Sequence, residues 1–305
     1  MIVVAGVVAV RVARQFDSFP IPLVSSTTRQ GEISLRLAGS GWTAARTLQR
    51  LGAETTFATY VGADELGQFA AQGLARDGLY GPTTLVCDTQ PRSMILYDRQ
   101  GRRCGASDLR STPWLRYPPD IFRSAVDKGC TAAILTNIGF TRSLIPAALA
   151  LAIPIATDLH LFDSIERNRD WLEAAHILAR SHETLPESPE NWIGRIWRTF
   201  GTEAVLVGCG DDGAVLGIRS AQRIWHIRGL APRGVRFVGG AGDTLLAAFV
   251  RQYFTLGDPL TAARQAVLAA GWKVGGSPEE APGISADDLA VLQHTTGLPA
   301  VTCLR

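Results

Sequence analysis

Short apolar runs rich in β-branched residues recur at 2–10, 55–61, 131–136, 153–157 and 204–207. Runs of this kind fit strands covered on both faces, as in a parallel sheet. Between them lie segments of helical period. Residues 42–51 stop at Gly52 and residues 68–77 at Gly78, each glycine placed to close a helix. Alternation of strand and helix predicts a doubly wound α/β domain. Further on, Asp258-Pro259 supplies an N-cap and first-turn pair for a helix reaching residue 274, and Ser285 with Asp288 resembles a capping box.

Two stretches break the alternation. Residues 11–37 contain Phe19-Pro20-Ile21-Pro22, then polar residues, then the alternating Ile33-Ser34-Leu35-Arg36-Leu37. Residues 92–110 read as a hairpin, with arms 93–98 and 102–106 around Gln100-Gly101. Together they predict a small antiparallel sheet, a lid beside the main domain. With no repeat and no linker, residues 1–305 are expected to form a single domain that carries this lid.

Composition excludes several classes. At 46% hydrophobic and 19% charged residues the chain has apolar surface enough to offset ordering entropy, so it is not a disordered protein. A net charge of +2 gives no field to draw nucleic acid or an anionic membrane, and neither is an expected partner. Lys128 and Lys273 are the only lysines among 30 basic residues, and neither precedes Ser or Thr, which excludes a P-loop. Five cysteines without a C-x-x-C read as separate thiols in a reducing compartment, and five histidines show no zinc-ligand spacing. The apolar N-terminus is too short to span a bilayer and runs into Arg11 and Arg14; it reads as a buried strand, and the expected location is cytoplasmic.

Three glycine clusters compete for chemistry. Gly208-Cys209-Gly210-Asp211-Asp212-Gly213 follows a strand, but strand-like runs come after it, so it reads as a turn rather than a dinucleotide loop. Gly39-Ser40-Gly41-Trp42-Thr43-Ala44 joins a strand to a helix; its glycines would let a ligand approach the backbone, or would only make a tight turn. Asp64 lies at a dinucleotide-like distance from it. Gly239-Gly240-Ala241-Gly242-Asp243-Thr244 opens a helix over 245–254, and small residues there present backbone N–H groups to one point, an anion hole. Asp243 beside it suits a base taking a proton from an attacking hydroxyl, or is a plain N-cap. Polar residues at strand ends, Asn137 and Asp158 with His160, are further candidates, because open α/β sheets bind ligands there. Trp42 could stack on a base or cover a sugar face.

The second and third clusters resemble a known family. Gly240-Ala241-Gly242-Asp243 before a helix resembles the G-A-G-D signature of the ribokinase-like (PfkB) carbohydrate and nucleoside kinases. Gly39-Ser40-Gly41 and the later Tyr60-Val61-Gly62-Ala63-Asp64-Glu65-Leu66-Gly67 are similar to that family's N-terminal motifs, and the resemblance runs in order over nearly the whole chain. It implies a three-layer α/β/α sandwich with a mostly parallel sheet and a small β lid. The implied activity is ATP-dependent phosphorylation of a hydroxyl on a small sugar or nucleoside, with Mg²⁺. Asp243 would be the general base, and Gly240, Ala241 and Gly242 the anion hole. Gly208, Gly210 and Gly213, with Val267, Ala270 and Gly271, would line the nucleotide. Gly39, Ser40, Gly41, Thr43, Arg11 and Asn137 would face the acceptor, and a homodimer through the lid is a further expectation.

Departures from the pattern fall at ligand positions. The first-strand G-x-x-N-x-D stands here as Gly6-Val7-Val8-Ala9-Val10-Arg11, and the Asn after the glycine motif is Thr43. An arginine cannot accept hydrogen bonds but binds carboxylate or phosphate well, so Arg11 points to an anionic or carbonyl-rich acceptor. The metal-organising N-x-x-E aligns with Ser181-His182-Glu183-Thr184, leaving Glu183 one place out of register. The D-T-x before G-A-G-D is Phe237-Val238-Gly239, which removes a carboxylate that relatives use to hold K⁺. Activity insensitive to K⁺ is expected, with Phe237 packing in its place. An active kinase with an unusual acceptor is one reading; a catalytically weak ligand-binding or regulatory homologue is another, and a dinucleotide oxidoreductase using residues 39–44 is a third.

Overall fold

The computed structural model describes residues 1–127, 129–160 and 164–305. Its strands are, in chain order, β1 (Ile2–Ala5), β2 (Ala9–Phe16), β3 (Ile33–Ala38), β4 (Thr55–Gly62), β5 (Thr84–Cys87), β6 (Arg92–Asp98) and β7 (Arg103–Asp108). There follow β8 (Ala132–Leu135), β9 (Ile155–Asp158), β10 (Ala175–Ser181), β11 (Ala204–Gly208), β12 (Gly213–Ile218), β13 (Arg223–Arg228) and β14 (Val301–Cys303). Ten of them make one sheet in the order β14-β13-β12-β11-β10-β9-β8-β1-β4-β5. From β5 to β11 all neighbours run parallel, while β12, β13 and β14 close one edge antiparallel.

Side chains alternate across this sheet and separate two cores. Ile2 and Val4 of β1 join Ile134 under the helices Ser40–Arg50, Glu65–Arg76, Ala241–Leu256 and Pro259–Val274. Val3 and Ala5 join Leu135, Trp192 and Phe122 on the opposite face, under Pro119–Val126 and Pro189–Thr199. The architecture is therefore the three-layer α/β/α sandwich that the family resemblance implies, and it bears out the α/β alternation read from the sequence. Caps fall where expected: Gly52 and Gly78 have φ of 74° and 67°, and Asp258 accepts from the Leu260 and Thr261 amides.

The small second sheet, the lid, is also present, in the order β3-β2-β6-β7, but it is mixed rather than antiparallel. β2–β3 and β6–β7 run antiparallel, whereas β2 and β6, which come from separate stretches of chain, pair in parallel. Asp64 ties it to the main domain: as N-cap it accepts from Gly67 N, and it also accepts from Gln90 N and pairs with Arg92 at 2.9 Å on β6. The Ile33–Leu37 alternation is real, but only its last residue, Leu37, enters a core. Ile33 and Leu35 are 63% and 40% exposed on the lid's outer side.

One expected strand is two. The run 2–10 breaks after Ala5, and β2 leaves the main sheet for the lid. A side chain at Gly6 would lie 2.8 Å from the Gly41 Cα, so the chain crosses the start of helix Ser40–Arg50 there in contact with its backbone. Both halves are buried, so apolarity alone could not report the change of sheet.

Candidate active site

Helix Ala241–Leu256 starts after Gly240, whose φ of 84° lies in the left-handed region, and no side chain caps it. Asp243 is thus not the N-cap. It stands in the first turn with its carboxylate uncommitted to capping. Amide accounting refines the expected anion hole. Ala241 N donates to Val238 O at 3.2 Å and Thr244 N to Gly240 O at 3.0 Å. The amides of Gly240, Gly242 and Asp243 make no backbone bond among the described residues, so the available donors are those three rather than Gly240, Ala241 and Gly242.

Around Asp243 the charges converge. Burial pushes its carboxyl up from the ordinary aspartate range, and His160, Arg11 and Lys273 pull the other way. Asp158, at the end of β9, is the second carboxyl: its Oδ2 lies 3.8 Å from where a Cβ on Gly242 would stand. Burial and then the Asp243 charge push Asp158 up in turn, against His160 and Arg180. Two carboxyls side by side resist ionising together, so one holds a proton more readily than either would alone.

Phe237 is the hub of the loop that presents the anion hole. It is buried at 4% exposure, with the Tyr97 ring edge-on at 5.4 Å. The guanidinium of Arg11 lies 5.8 Å and the ammonium of Lys273 4.7 Å from its ring centroid. The packing expected of Phe237 is present, but two of its neighbours are cations. Arg11 makes no ion pair among the described residues, and its buried Nε has no hydrogen-bond partner. Asp17, which could have neutralised it, pairs with Arg29 and Arg99 instead.

The two outer glycine clusters meet. A Cβ on Gly240 would sit 3.2 Å from Cγ2 of Thr43, which is itself buried. Gly39 and Gly41 have a different reason to be glycine from the one expected. Their Cα faces are filled by the chain's own backbone, Val7 O at 2.4 Å and Gly6 C at 2.5 Å from the would-be Cβ atoms, which leaves Ser40 and Thr43 as the side chains of that motif. Trp42 is not a stacking platform; its indole N–H donates to Asp77 at 2.8 Å and braces two helices. Asn137 donates to Asn168 at 3.3 Å and lines a separate cleft of ≈ 560 Å³ with Trp114, Arg142 and Trp171.

The expected nucleotide-side residues gather through one loop. Gly213, with φ 99°, abuts Gly229, and Gly271 lies so close to Leu230 O that no side chain fits there. Val267 is buried in the core below, and Ala270 is half-buried beside Gly271. Gly208 accepts through its carbonyl from His182, which sets Glu183 on that side, exposed. Among the described residues no three His, Cys, Asp or Glu side chains gather to hold a metal, so Glu183 does not join the Asp158–Asp243 pair.

Sequence reasoning missed Lys273, which it used only to exclude a P-loop. Its Nζ donates to Phe237 O at 3.1 Å and to Gly239 O. Burial, then Arg11, takes its ammonium down to about 7, against the attraction of Asp243. One of only two lysines in an arginine-rich chain, standing at a helix end, was the available signal.

Comparison with known proteins agrees with this fold. Residues 1–93 match the pfkB family carbohydrate kinases. The bifunctional protein HldE of Pelobacter propionicus is 29% identical over 258 residues, 78% of this chain; the chain spans about half (51%) of that relative's length. Among solved structures, a microbiome-derived acarbose kinase superposes with a TM-score of 0.87 at 23% identity, covering 96% of this chain and 98% of that one. Arabidopsis thaliana ribokinase, solved with ribose and ATP, gives 0.78 at 17% identity, covering 95% and 97%. A Burkholderia thailandensis nucleoside kinase, solved with inosine, gives 0.74 at 17% identity, covering 98% and 100%. At these identities the structural likeness is one of fold. The N-terminal segment of the chain thus matches the pfkB family carbohydrate kinases, and the chain as a whole has a ribokinase-like fold.

Proposed function

We propose that this protein transfers the γ-phosphoryl group of ATP to a hydroxyl of a small sugar or nucleoside acceptor, with Asp243 as general base. The observation that carries this reading is the position of Asp243: a half-buried carboxylate, uncommitted to capping, among open amides at a helix N-terminus. Its raised proton affinity suits it to take the acceptor's proton as the hydroxyl attacks phosphorus. The Gly240, Gly242 and Asp243 amides would then stabilise charge on the transferred group, and phosphoryl transfer needs little beyond such positioning.

Mg²⁺ fits the donor set in a limited way. It is a hard cation that is commonly held by one or two carboxylates plus nucleotide phosphates. Asp158, beside Asp243, would supply such a carboxylate, with Glu183 a more distant candidate. The ion would neutralise phosphate charge. ATP would lie toward Gly208, Gly210, Gly213 and Gly271, where the turn, the 229–231 loop and the helix end adjoin.

The acceptor carries an anionic group in this reading. Arg11 is half-buried, has no ion-pair partner among the described residues and leaves its Nε unsatisfied. A charge taken out of water without a partner is costly, and a substrate phosphate or carboxylate offsets that cost in the complex. A coupled ADP-release screen across pentoses, hexoses, polyols and nucleosides, each with its phosphorylated or carboxylated form, tests both statements. Acceptor-dependent turnover, strongest with an anionic acceptor, is expected. ATP turnover that no acceptor stimulates would point to a ligand-binding role.

A further inference from the structure

We propose that Lys273 is the built-in cation of the anion-hole loop, a positioning residue that aims the Gly240 amide at the transferred phosphoryl group. The inference rests on the kinase reading above for its catalytic meaning, and on the loop's own bonding for its geometry.

The argument begins with peptide planarity. In a trans peptide the C=O of one residue and the N–H of the next point in opposite directions. Lys273 Nζ donates to the carbonyls of both Phe237 and Gly239. Holding Gly239 O on one side turns the Gly240 N–H to the other. The remaining carbonyl of the loop, that of Val238, accepts the Ala241 amide. All three carbonyls from Phe237 to Gly239 are thereby bound, while the Gly240 amide is left without an acceptor and open.

Charge matters as well as shape. Two carbonyl dipoles converging on one point need a positive partner, and in a half-buried place that partner is worth more than in water. The Phe237 ring, 4.7 Å from Nζ, covers the ammonium, and a Gly240 Cβ would come within 3.8 Å of Cε, so the side chain fills its slot. Helix Pro259–Val274 delivers it from its last turn, where a cation also complements the helix dipole. Arg11, Arg103, Asp243 and Glu280 are the charged groups that bear on it. A free monovalent cation is then unnecessary, because the lysine already occupies the carbonyl pair.

The test uses the full chain with Lys273→Met, close in shape and neutral, and Lys273→Ala, which leaves a slot. Lys273→Met is expected to lose about 10²-fold in kcat, the order seen for loss of one oxyanion donor, with KM for ATP changed by less than about threefold. Lys273→Ala is expected to lose as much and to regain at least about tenfold in ammonium or potassium chloride relative to tetramethylammonium chloride at equal ionic strength. The wild type is expected to show no such cation effect. A second readout does not need activity: the Tm of Lys273→Ala rises in potassium or ammonium over tetramethylammonium, and that of the wild type does not. If the wild type proves not to be a kinase, this cation-dependent stabilisation still reports on Lys273. Should neither variant fold, amide hydrogen exchange on the wild type at 239–242 is expected to quicken as pH rises through the deprotonation of Lys273, beyond its intrinsic pH dependence. Full activity of Lys273→Met, a loss in Lys273→Ala with no cation effect on rate or Tm, or exchange following only its intrinsic dependence would each overturn the inference.

Discussion

The Cγ2 methyl of Thr43 stands against the bare Cα of Gly240, with only 3.2 Å to where a Cβ would lie. Two motifs almost two hundred residues apart in sequence thus share one contact, and neither residue can grow without moving the other. Gly240 also has φ 84°, which an L side chain adopts at a cost of roughly 1–2 kcal/mol. Gly240→Ala is therefore expected to lower Tm by a few degrees. It should cut turnover at least about tenfold by displacing an amide donor. Circular dichroism melts with steady-state kinetics check both; unchanged kcat would mean that the Gly240 amide does not face the reacting group.

Arg11→Ala is expected to raise KM for an anionic acceptor by about tenfold to a hundredfold, the worth of a charge-assisted hydrogen bond, with kcat and KM for ATP little changed. For the uncharged form of the same acceptor KM should move by less than about threefold. Equal effects on both forms would show that Arg11 acts on the fold of the lid.

Proton linkage offers a third test. Lys273 titrates near 7 in the folded protein, lowered first by burial and then by Arg11 and Arg103, against Asp243 and Glu280. Its unfolded value is about 10.4, so between the two the unfolded chain binds more protons, and this group's contribution to stability rises with pH across that window. Nucleotide phosphate arriving at the loop favours the charged form. ATP binding at pH 8 is thus expected to take up a fraction of a proton, read by calorimetry as an enthalpy that varies with buffer ionisation heat. Lys273→Met should remove the part that Lys273 supplies. A buffer-independent enthalpy in the wild type would contradict this.

The lid's outer face supports one expectation about assembly. Val12 lies opposite both Leu35 and Met94 in register, and these three are 38%, 40% and 50% exposed beside Ile33. A contiguous apolar strip on a small sheet is expected to pair with a second copy of the chain. Sedimentation at micromolar concentration should show a dimer, and Leu35→Arg should shift it to monomer. A monomer at all concentrations would sink the idea.

Much of this was legible in the chain. The five strand runs, the helix caps at Gly52, Gly78 and Asp258 and the lid hairpin follow local chemistry, and local chemistry is what a sequence displays. β10 was not visible because Ala175-His176 opens it and Arg180-Ser181 ends it, so tertiary pairing between β9 and β11 makes the strand. The split between β1 and β2 stayed hidden because apolarity does not record which core a residue enters. In the site, Asp243 could be read from its glycine neighbours. Lys273 could not, since its partners are backbone carbonyls 34 and 36 positions away and carbonyls carry no residue signature. Gly39 and Gly41 misled for a related reason: a bare Cα announces a close approach, and here the chain's own backbone makes it.

The central claim is that Asp243 takes the proton of an attacking hydroxyl, and the direct measurement is turnover of Asp243→Asn with the best acceptor found for the wild type. Asparagine keeps the size but cannot accept the proton as a carboxylate does. Coupled ADP release should fall by roughly 10² to 10⁴ in kcat, with ATP affinity by calorimetry within about threefold of wild type. Turnover near the wild-type rate in Asp243→Asn would contradict the account.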